Sequence, residues 1–264
     1  MNKNIKHNIE IIYTLGTMDL KQKYQNSKLG MLWSFLKPLL QFCAYYFVFG
    51  YTLKIDTSPD YPLRLFFGII LWTCFTDGTS MGINSYFGKK SLVTKVKIDM
   101  KLIPISAYYT AVLNFIFNFT IFIVLYHIFS DNPLKIYTIE NITLFLGTFF
   151  LYSISIIFLN IILATLNALF RDIQTIWELI MMYGVFIMPI IYPVQIPEKY
   201  LNIYYFINIA AFPLETIRSI FFDSSSNLWE EASYFISYIL GIVVIIFLGL
   251  FIDKKLRYKV ADYL

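Results

Sequence analysis

Residues 143–193 form an almost unbroken apolar stretch that carries Arg171 and Asp172 side by side near its middle. A single membrane-spanning helix needs only about 20 residues, so this stretch is long enough to cross a bilayer twice. Placing both charges at mid-bilayer would cost roughly 5–7 kcal/mol on insertion scales. The chain is therefore predicted to turn at this charged pair, with one span on each side.

Long apolar runs recur along the rest of the chain. Of its 264 residues, 58% are hydrophobic and 14% are charged, whereas a soluble domain carries about 25% charged residues. This composition is typical of an all-α integral membrane protein. Six spans are predicted, at residues 36–53, 63–86, 103–127, 143–167, 175–193 and 233–252, followed by a tail at 253–264.

The distribution of basic residues predicts the orientation of these spans. Sixteen of the 21 Lys and Arg residues lie in the N-terminal segment, the second and fourth loops and the C-terminal tail. Cytoplasmic loops of membrane proteins carry an excess of Lys and Arg. Both termini and the Arg171 turn are therefore predicted to lie in the cytoplasm.

Residues 203–222 are apolar enough to form a seventh span. However, Pro213 lies near their centre, with Glu215 and Arg218 close behind, and a full crossing would send the basic C-terminal tail to the outside. Interrupted helices at membrane depth are tolerated where protein or water covers them. A re-entrant segment near residues 195–228 is therefore favoured over a seventh span.

The first 35 residues are too polar to cross a membrane, but they have a helical pattern. Residues spaced three or four apart are apolar, aromatic or small, namely Ile5, Ile9, Ile12, Tyr13, Gly16, Leu20 and Tyr24. This spacing predicts an amphipathic helix at the cytoplasmic membrane interface. Its apolar face serves either as a lipid anchor or as a docking surface for a cytoplasmic partner.

Few residues have side chains suited to catalysis or to binding a metal or nucleotide. His and Cys lack the spacing of metal ligands, and GINSYFGKKS departs from the phosphate-loop pattern, so neither a metal nor a nucleotide site is predicted. Asp77 is an intramembrane acid that either lines a hydrated pathway or forms an interhelical hydrogen bond. Aromatic residues inside the spans either belong to the interfacial belt or line a glycan canal with Asp77. These candidates are Tyr45, Tyr46, Trp72, Phe75, Tyr108 and Tyr109.

The segment MDLKQKYQNSKLGMLWSFLKPLL resembles the opening of the membrane subunits of ABC exporters for lipid-linked polysaccharides, which include the O-antigen, teichoic-acid and capsule permeases. The matching positions are Asp19, Leu20, Lys21, Tyr24, Ser27, Leu29, Gly30, Leu32, Trp33 and Pro38. Similar blocks follow in the family's order: LWTCFTDGTSMGINSY, SLVTKVKIDMKLIPIS, FRDI, MPIIYPVQIPEKY and FPLETIRSIFF. In the second of these blocks, Ile98 and Asp99 replace the Phe-Pro of the family.

This resemblance implies a homodimer in the bacterial cytoplasmic membrane, bound to two copies of a cytoplasmic ATPase subunit. The ATPase would bind ATP and Mg²⁺, so this chain would be a transport subunit without a cofactor and not an enzyme. The interface helix would include Asp19, Lys21 and Tyr24. A short coupling helix near residues 168–176 would contact the ATPase through Phe170, Arg171, Asp172 and Ile173. The alternative is a charged turn that only ends two helices.

The implied cargo is a polysaccharide on a polyprenyl diphosphate carrier, moved from the cytoplasmic to the outer face. Lys37, Lys95 and Lys97 are predicted to attract the diphosphate. One alternative is an ABC exporter of drugs or small lipids, although such proteins often have an extracellular insertion between the first two spans that is absent here. A membrane-bound glycan-modifying enzyme is less favoured because no catalytic set is evident. No nucleic-acid partner is expected.

Overall fold

The computed structural model describes residues 3–25, 27–95, 98–130, 133–222 and 231–263. These residues form helices and connecting turns, with no strand among them. The helices are α1 (Lys3–Tyr24), α2 (Trp33–Tyr45), α3 (Tyr61–Ile83), α4 (Ser85–Gly88), α5 (Lys90–Lys95), α6 (Leu102–Phe129), α7 (Ile139–Leu169), α8 (Asp172–Ile187), α9 (Glu198–Ile207), α10 (Ala211–Phe221) and α11 (Ala232–Tyr263). The prediction of an all-α fold is confirmed.

Five helical stretches in these ranges are long and apolar enough to cross a membrane. They are Gly30–Thr52, Tyr61–Ile83, Leu102–Phe129, Ile139–Leu169 and Ala232–Leu256. They correspond to five of the six predicted spans, with ends displaced by a few residues. The remaining prediction, at 175–193, falls on α8, whose 16 residues make a helix of about 24 Å. The chain is a multi-pass membrane protein.

Two segment boundaries differ from the prediction. The interface segment is predicted to extend to residue 35, but α1 ends at Tyr24 and the next helical stretch begins at Gly30. Gly30 has a φ of 49°, which glycine adopts readily because it has no Cβ. The tail at 253–264 is not a separate segment either, because α11 continues to Tyr263.

The core is organised around α3. Sixteen of its 23 residues are buried, and α2, α6, α7 and α8 all pack against it. In contrast, α2 buries only Pro38 and α8 buries only Val185 within this chain. A central helix is surrounded by others, which explains why apolar residues occur on all sides of α3.

Helices from five parts of the sequence meet at the end of the bundle that carries the turn between α7 and α8. We call this the basal end, and its buried residues the basal cluster: Leu15, Tyr86, Ile103, Ala164, Ala168 and Val260. Asp253 Oδ2 also lies 3.2 Å from Lys101 Nζ, which joins α11 to the start of α6. The end of α11 is therefore packed into the fold.

Two asparagines of α7 hold α3 in place. Asn160 and Asn167 are seven residues apart and so lie on one face of α7. Asn160 Nδ2 donates to the Gly78 carbonyl at 3.2 Å, and Asn167 Nδ2 donates to the Ile83 carbonyl at 3.0 Å. These bonds fix the basal half of α3 against α7, with Gly82 lying directly against Asn160.

We expect Gly82→Ala to destabilise the chain, because the added methyl group would overlap the Asn160 amide. Overpacking of this kind costs about 1–3 kcal/mol. Thermal unfolding of the purified protein measures the effect. Gly147→Ala is the matched control, since nothing lies within 4 Å of the Cβ position at Gly147 in α7. Equal unfolding temperatures for both variants would contradict the close contact.

Candidate functional site

The basal turn between α7 and α8 lies where the sequence predicts it. α7 ends at Leu169 and α8 begins at Asp172, so Phe170 and Arg171 form the turn. Phe170 is 65% exposed, and the Arg171 guanidinium lies 5.2 Å from the centre of the Phe87 ring. Phe87 belongs to α4, the short helix that follows α3, so this cation–π contact links the turn to α4.

The predicted separate coupling helix at 168–176 is not present. Residues 168–169 end α7, and residues 172–176 are the first turns of the continuous helix α8. Asp172 is exposed and Ile173 is half-buried. A carboxylate in the first turn of a helix interacts favourably with the helix dipole, which explains Asp172 as a helix start. The dipole does not explain an exposed aromatic ring at Phe170.

Helix α1 is bound to the other helices by polar side chains. Asp19 Oδ2 lies 2.6 Å from Lys89 Nζ, and Tyr24 Oη donates to Asn114 Oδ1 at 3.1 Å. The predicted interface residues Asp19 and Tyr24 are thus used inside the chain, whereas Lys21 is exposed. Leu15 packs into the basal cluster and Gly16 packs against α6, whereas Ile5, Ile9 and Tyr13 of the predicted apolar face are exposed.

Asp77 forms an ion pair that the sequence does not predict. Its Oδ2 lies 2.6 Å from Lys23 Nζ of α1. Both side chains line a cavity of about 360 Å³ between α1, α2 and α3, together with Lys37. Of the lysines predicted to attract a diphosphate, Lys37 therefore lies beside Asp77. The side chain of Lys95 and all of Lys97 lie outside the described residues.

The aromatic candidates are distributed over separate places. Tyr45 and Tyr46 lie on the outer helix α2 and its π-helical continuation Tyr46–Thr52. Trp72 and Phe75 stack with their ring centres 5.5 Å apart, against Trp177 of α8. Together with other apolar side chains they line an open cavity of about 690 Å³.

The two remaining tyrosines of this group lie deeper in the chain or under α1. Tyr108 is buried and donates to Ser153 Oγ at 2.9 Å. Tyr109 lies against Gly16 and has its ring centre 5.9 Å from that of Tyr13. Of the six aromatic candidates, Trp72 and Phe75 thus line the same cavity. A canal lined by all six would need the surfaces of more than one chain.

Residues 188–197, between α8 and α9, are not helical, and carbonyl groups of these residues and of the last turn of α8 accept hydrogen bonds from side chains. Tyr192 donates to the Phe186 carbonyl, and Tyr204 donates to that of Ile187 at 3.0 Å. Tyr61 donates to Ile191 at 3.1 Å. Arg218 donates to the carbonyls of Pro189, Ile190 and Arg64. Such coverage is what non-helical backbone at membrane depth requires.

Arg218 lies in α10, next to Glu215 and outside the five candidate spans. Burial lowers the pKa of Arg218 to about 10, and the nearby Glu215 carboxylate opposes this decrease. Burial raises the pKa of Glu215, while the hydroxyl of Tyr205, which donates to Glu215 at 2.5 Å, lowers it. Arg218 therefore keeps its positive charge at neutral pH.

The interruption between α9 and α10 does not occur at Pro213. It occurs at residues 208–210, and Pro213 lies in the first turn of α10. A proline is tolerated there because the first backbone N–H groups of a helix have no partner within the helix. Residues 223–228 of the predicted re-entrant segment lie outside the described residues.

Sequence reasoning missed the residues that join elements far apart in the chain, among them Lys23, Lys89 and Asn160. Asp19 and Lys23 are spaced four residues apart on α1, a spacing that indicates a pair within one helix. Instead, each binds a residue of another element. The described residues also contain no group of His, Cys, Asp and Glu suited to a metal ion.

Comparison with known proteins identifies the family. Two Klebsiella pneumoniae proteins are each named O-antigen export system permease protein RfbA, and they are 28% and 29% identical to this chain. Each alignment has 266 positions and covers 100% of this chain and 98% of the relative. A Myxococcus xanthus protein of the same name is 27% identical over 185 residues, covering 70% of this chain and 69% of the relative. The ABC-2 type transporter family matches residues 10–222. The resemblance predicted from the sequence is thus confirmed, and the chain belongs to the ABC-2 type transporter family.

Proposed function

We propose that this chain is the permease subunit of an ATP-driven exporter that moves polyprenyl-diphosphate-linked polysaccharide across the bacterial cytoplasmic membrane. The observation that carries this proposal is the similarity over the full length to relatives named as O-antigen export permeases. The alignments include α1, the basal turn and α11, so the features discussed below lie within the aligned region. O-antigen, teichoic acid and capsule polymers are the candidate cargo classes.

The proposed arrangement has six spans, with α8 as the fifth to cross. α8 has about 24 Å of helix against a hydrocarbon thickness of about 30 Å, and the covered non-helical residues after it would complete the crossing. α9 and α10 would form a re-entrant segment at the outer face. Tyr126, near the end of α6, donates to the Phe221 carbonyl of α10 at 2.8 Å, and Ser237, near the start of α11, donates to Asn202 Oδ1 of α9 at 3.2 Å, which supports this placement. Both termini would then be cytoplasmic, as the distribution of Lys and Arg indicates.

α1 is proposed to lie at the cytoplasmic membrane interface. α6 has 28 residues, a length of about 42 Å, which exceeds the hydrocarbon thickness of about 30 Å. α1 packs against the basal half of α6, where Thr110 Oγ1 donates to the Gly16 carbonyl at 3.2 Å. The excess length of α6 is thus available to hold α1 at headgroup depth.

The basal turn is proposed to bind a separate ATPase subunit, which would hold ATP and Mg²⁺. Phe170 offers an exposed aromatic ring, and Arg171 and Asp172 offer exposed charges around it. Energetically important interface residues are enriched in large aromatic side chains and arginine, and this turn exposes both Phe170 and Arg171. The neighbouring basal cluster joins this turn to α1 and α11.

A second copy of the chain is proposed to cover α2 and α8. Each of these helices buries one residue in the single chain, whereas α3 buries sixteen. The cavity lined by Trp72 and Phe75 opens beside α8. Two copies facing each other would enclose a canal between their α2 and α8 helices, with aromatic residues available to stack on sugars.

Deletion of the gene in its native bacterium tests the proposed function. We expect loss of the surface polysaccharide and accumulation of its lipid-linked form inside the cell, with recovery when the gene is restored. Co-purification of the wild-type chain with an ATPase is the second expected result. Unchanged surface polysaccharide together with increased sensitivity to drugs would overturn the proposal in favour of a drug exporter.

A further inference from the structure

The cavity between α1, α2 and α3 contains both charged and apolar side chains. Its charged members are Lys23, Lys37 and Asp77, and its polar members are Tyr24, Ser27, Ser34 and Thr73. Trp33, Pro38 and Leu40 complete its lining. Its volume of about 360 Å³ falls within the range of roughly 300–1,000 Å³ that is usual for small-molecule sites.

The charges in this cavity favour an anion. Lys23 is paired with Asp77 at 2.6 Å, whereas Lys37 is exposed and forms no ion pair with any residue that the structure describes. The two lysines and one aspartate leave one net positive charge. Because Lys23 lies on α1 and Lys37 on α2, an anion between them would contact both elements.

The apolar side of the cavity favours a ligand with a hydrocarbon chain. Leu40 on α2 and Phe47 on its π-helical continuation are exposed, whereas Phe35 and Phe42 on another side of α2 are half-buried against the core. Trp33 lies at the start of α2, and tryptophan is enriched at the membrane–water interface. A ligand with its charged end near Lys37 could therefore extend its chain along α2.

We infer that this cavity binds the phosphate group of an anionic lipid, and that the phosphate displaces Asp77 as the counter-ion of Lys23. Binding would exchange a contact between α1 and α3 for a contact between α1 and the lipid. This inference rests on the proposed function, since that function assigns the basal end to the cytoplasmic leaflet. The phosphate belongs either to a phospholipid of that leaflet or to the polyprenyl carrier of the cargo.

Substitutions of the two residues of the Lys23–Asp77 ion pair provide the test, because they are expected to have opposite effects on lipid binding. In the purified complex with its ATPase, Lys37→Gln and Lys23→Gln each remove an attractive charge and are expected to weaken binding of phosphatidylglycerol by about fivefold. Asp77→Asn removes the competing carboxylate and is expected to strengthen binding. Native mass spectrometry of lipid adducts measures all three variants.

Matched controls separate this inference from a purely structural ion pair. Lys6→Gln and Glu10→Gln change the same charges at exposed positions of α1 and are expected to leave lipid binding unchanged. If the Lys23–Asp77 pair only fastens α1, Lys23→Gln and Asp77→Asn will have the same effect, which would overturn the inference. Should Lys23→Gln fail to fold, the opposite effects expected of Lys37→Gln and Asp77→Asn still decide the matter.

The lipid probes identify the source of the phosphate. Displacement of phosphatidylglycerol by a long-chain polyprenyl phosphate would assign the site to the cargo carrier, and failure to displace it would assign the site to the membrane phospholipid. Equal binding of phosphatidylcholine and phosphatidylglycerol would overturn the inference. Polysaccharide export in cells is scored separately, so a failure of the proposed function remains distinguishable from a failure of this site.

Discussion

Arg218→Gln is expected to prevent stable folding of the segment that follows α8. The Arg218 guanidinium donates to the carbonyls of Arg64, Pro189 and Ile190, which belong to two separate parts of the chain. A glutamine amide cannot reach all three, and the substitution leaves Glu215 without its neighbouring positive charge. Loss of the charge-assisted hydrogen bonds of this part-buried side chain costs about 1.5–3 kcal/mol or more, which is a sizeable part of the total stability of a domain.

Thermal unfolding and protease resistance of the purified chain measure this effect. Arg218→Lys keeps the charge but loses the fork of donors, so an intermediate loss is expected. Lys199→Gln is the control, because Lys199 is an exposed residue at the start of the neighbouring helix α9. If Arg218→Gln unfolds at the wild-type temperature, the carbonyl groups do not depend on this side chain.

Substitutions at the basal turn are expected to abolish export without unfolding the chain. Phe170→Ala removes an exposed ring, and the double change Arg171→Glu with Asp172→Lys reverses two exposed charges. If these residues meet the ATPase, each variant loses about 2 kcal/mol or more of binding free energy, the range of interface hot spots. Surface polysaccharide and the amount of co-purified ATPase both measure this loss.

The control for the basal turn is Phe150→Ala, which removes a similarly exposed ring from the middle of α7. We expect this variant to retain its ATPase. Unfolding temperatures of Phe170→Ala and Phe150→Ala should match the wild type, because neither ring is part of the buried core. The charge-reversed variant is expected to unfold at a slightly lower temperature, because it loses the favourable charge of Asp172 at the start of α8 and the contact between Arg171 and Phe87. If Phe170→Ala and the charge-reversed variant both export at the wild-type level, the turn does not bind the ATPase and only connects two helices.

Local properties of the sequence determined the parts of this protein that depend on the membrane. Apolar runs located five candidate spans within a few residues, because hydrocarbon accepts only long helices that satisfy their own backbone. The cost of burying Arg171 and Asp172 located the turn between α7 and α8. The motif pattern identified the family, and with it a transport subunit and not an enzyme.

The exact ends of the helices depended on the elements that pack against them and on the position of each residue within its helix. Hydropathy separates α11 from its basic tail, yet the helix continues because Asp253 and Val260 pack against other elements. Pro213 was used as an argument against a continuous seventh span, whereas its position in the first turn makes it compatible with α10. A short coupling helix was expected near 168–176, but the residues after the turn continue directly into α8.

Only the tertiary structure decided which polar residues meet. Lys23 pairs with Asp77 across 54 positions of sequence, Asn160 binds Gly78 across 82, and Arg218 binds the Arg64 carbonyl across 154. Sequence spacing reports the faces of single helices, but it carries no information on how those helices pack. Inside a membrane each buried polar group still needs a partner, so the packing of the helices selects the pairs that fix α1, α3 and the residues between α8 and α9.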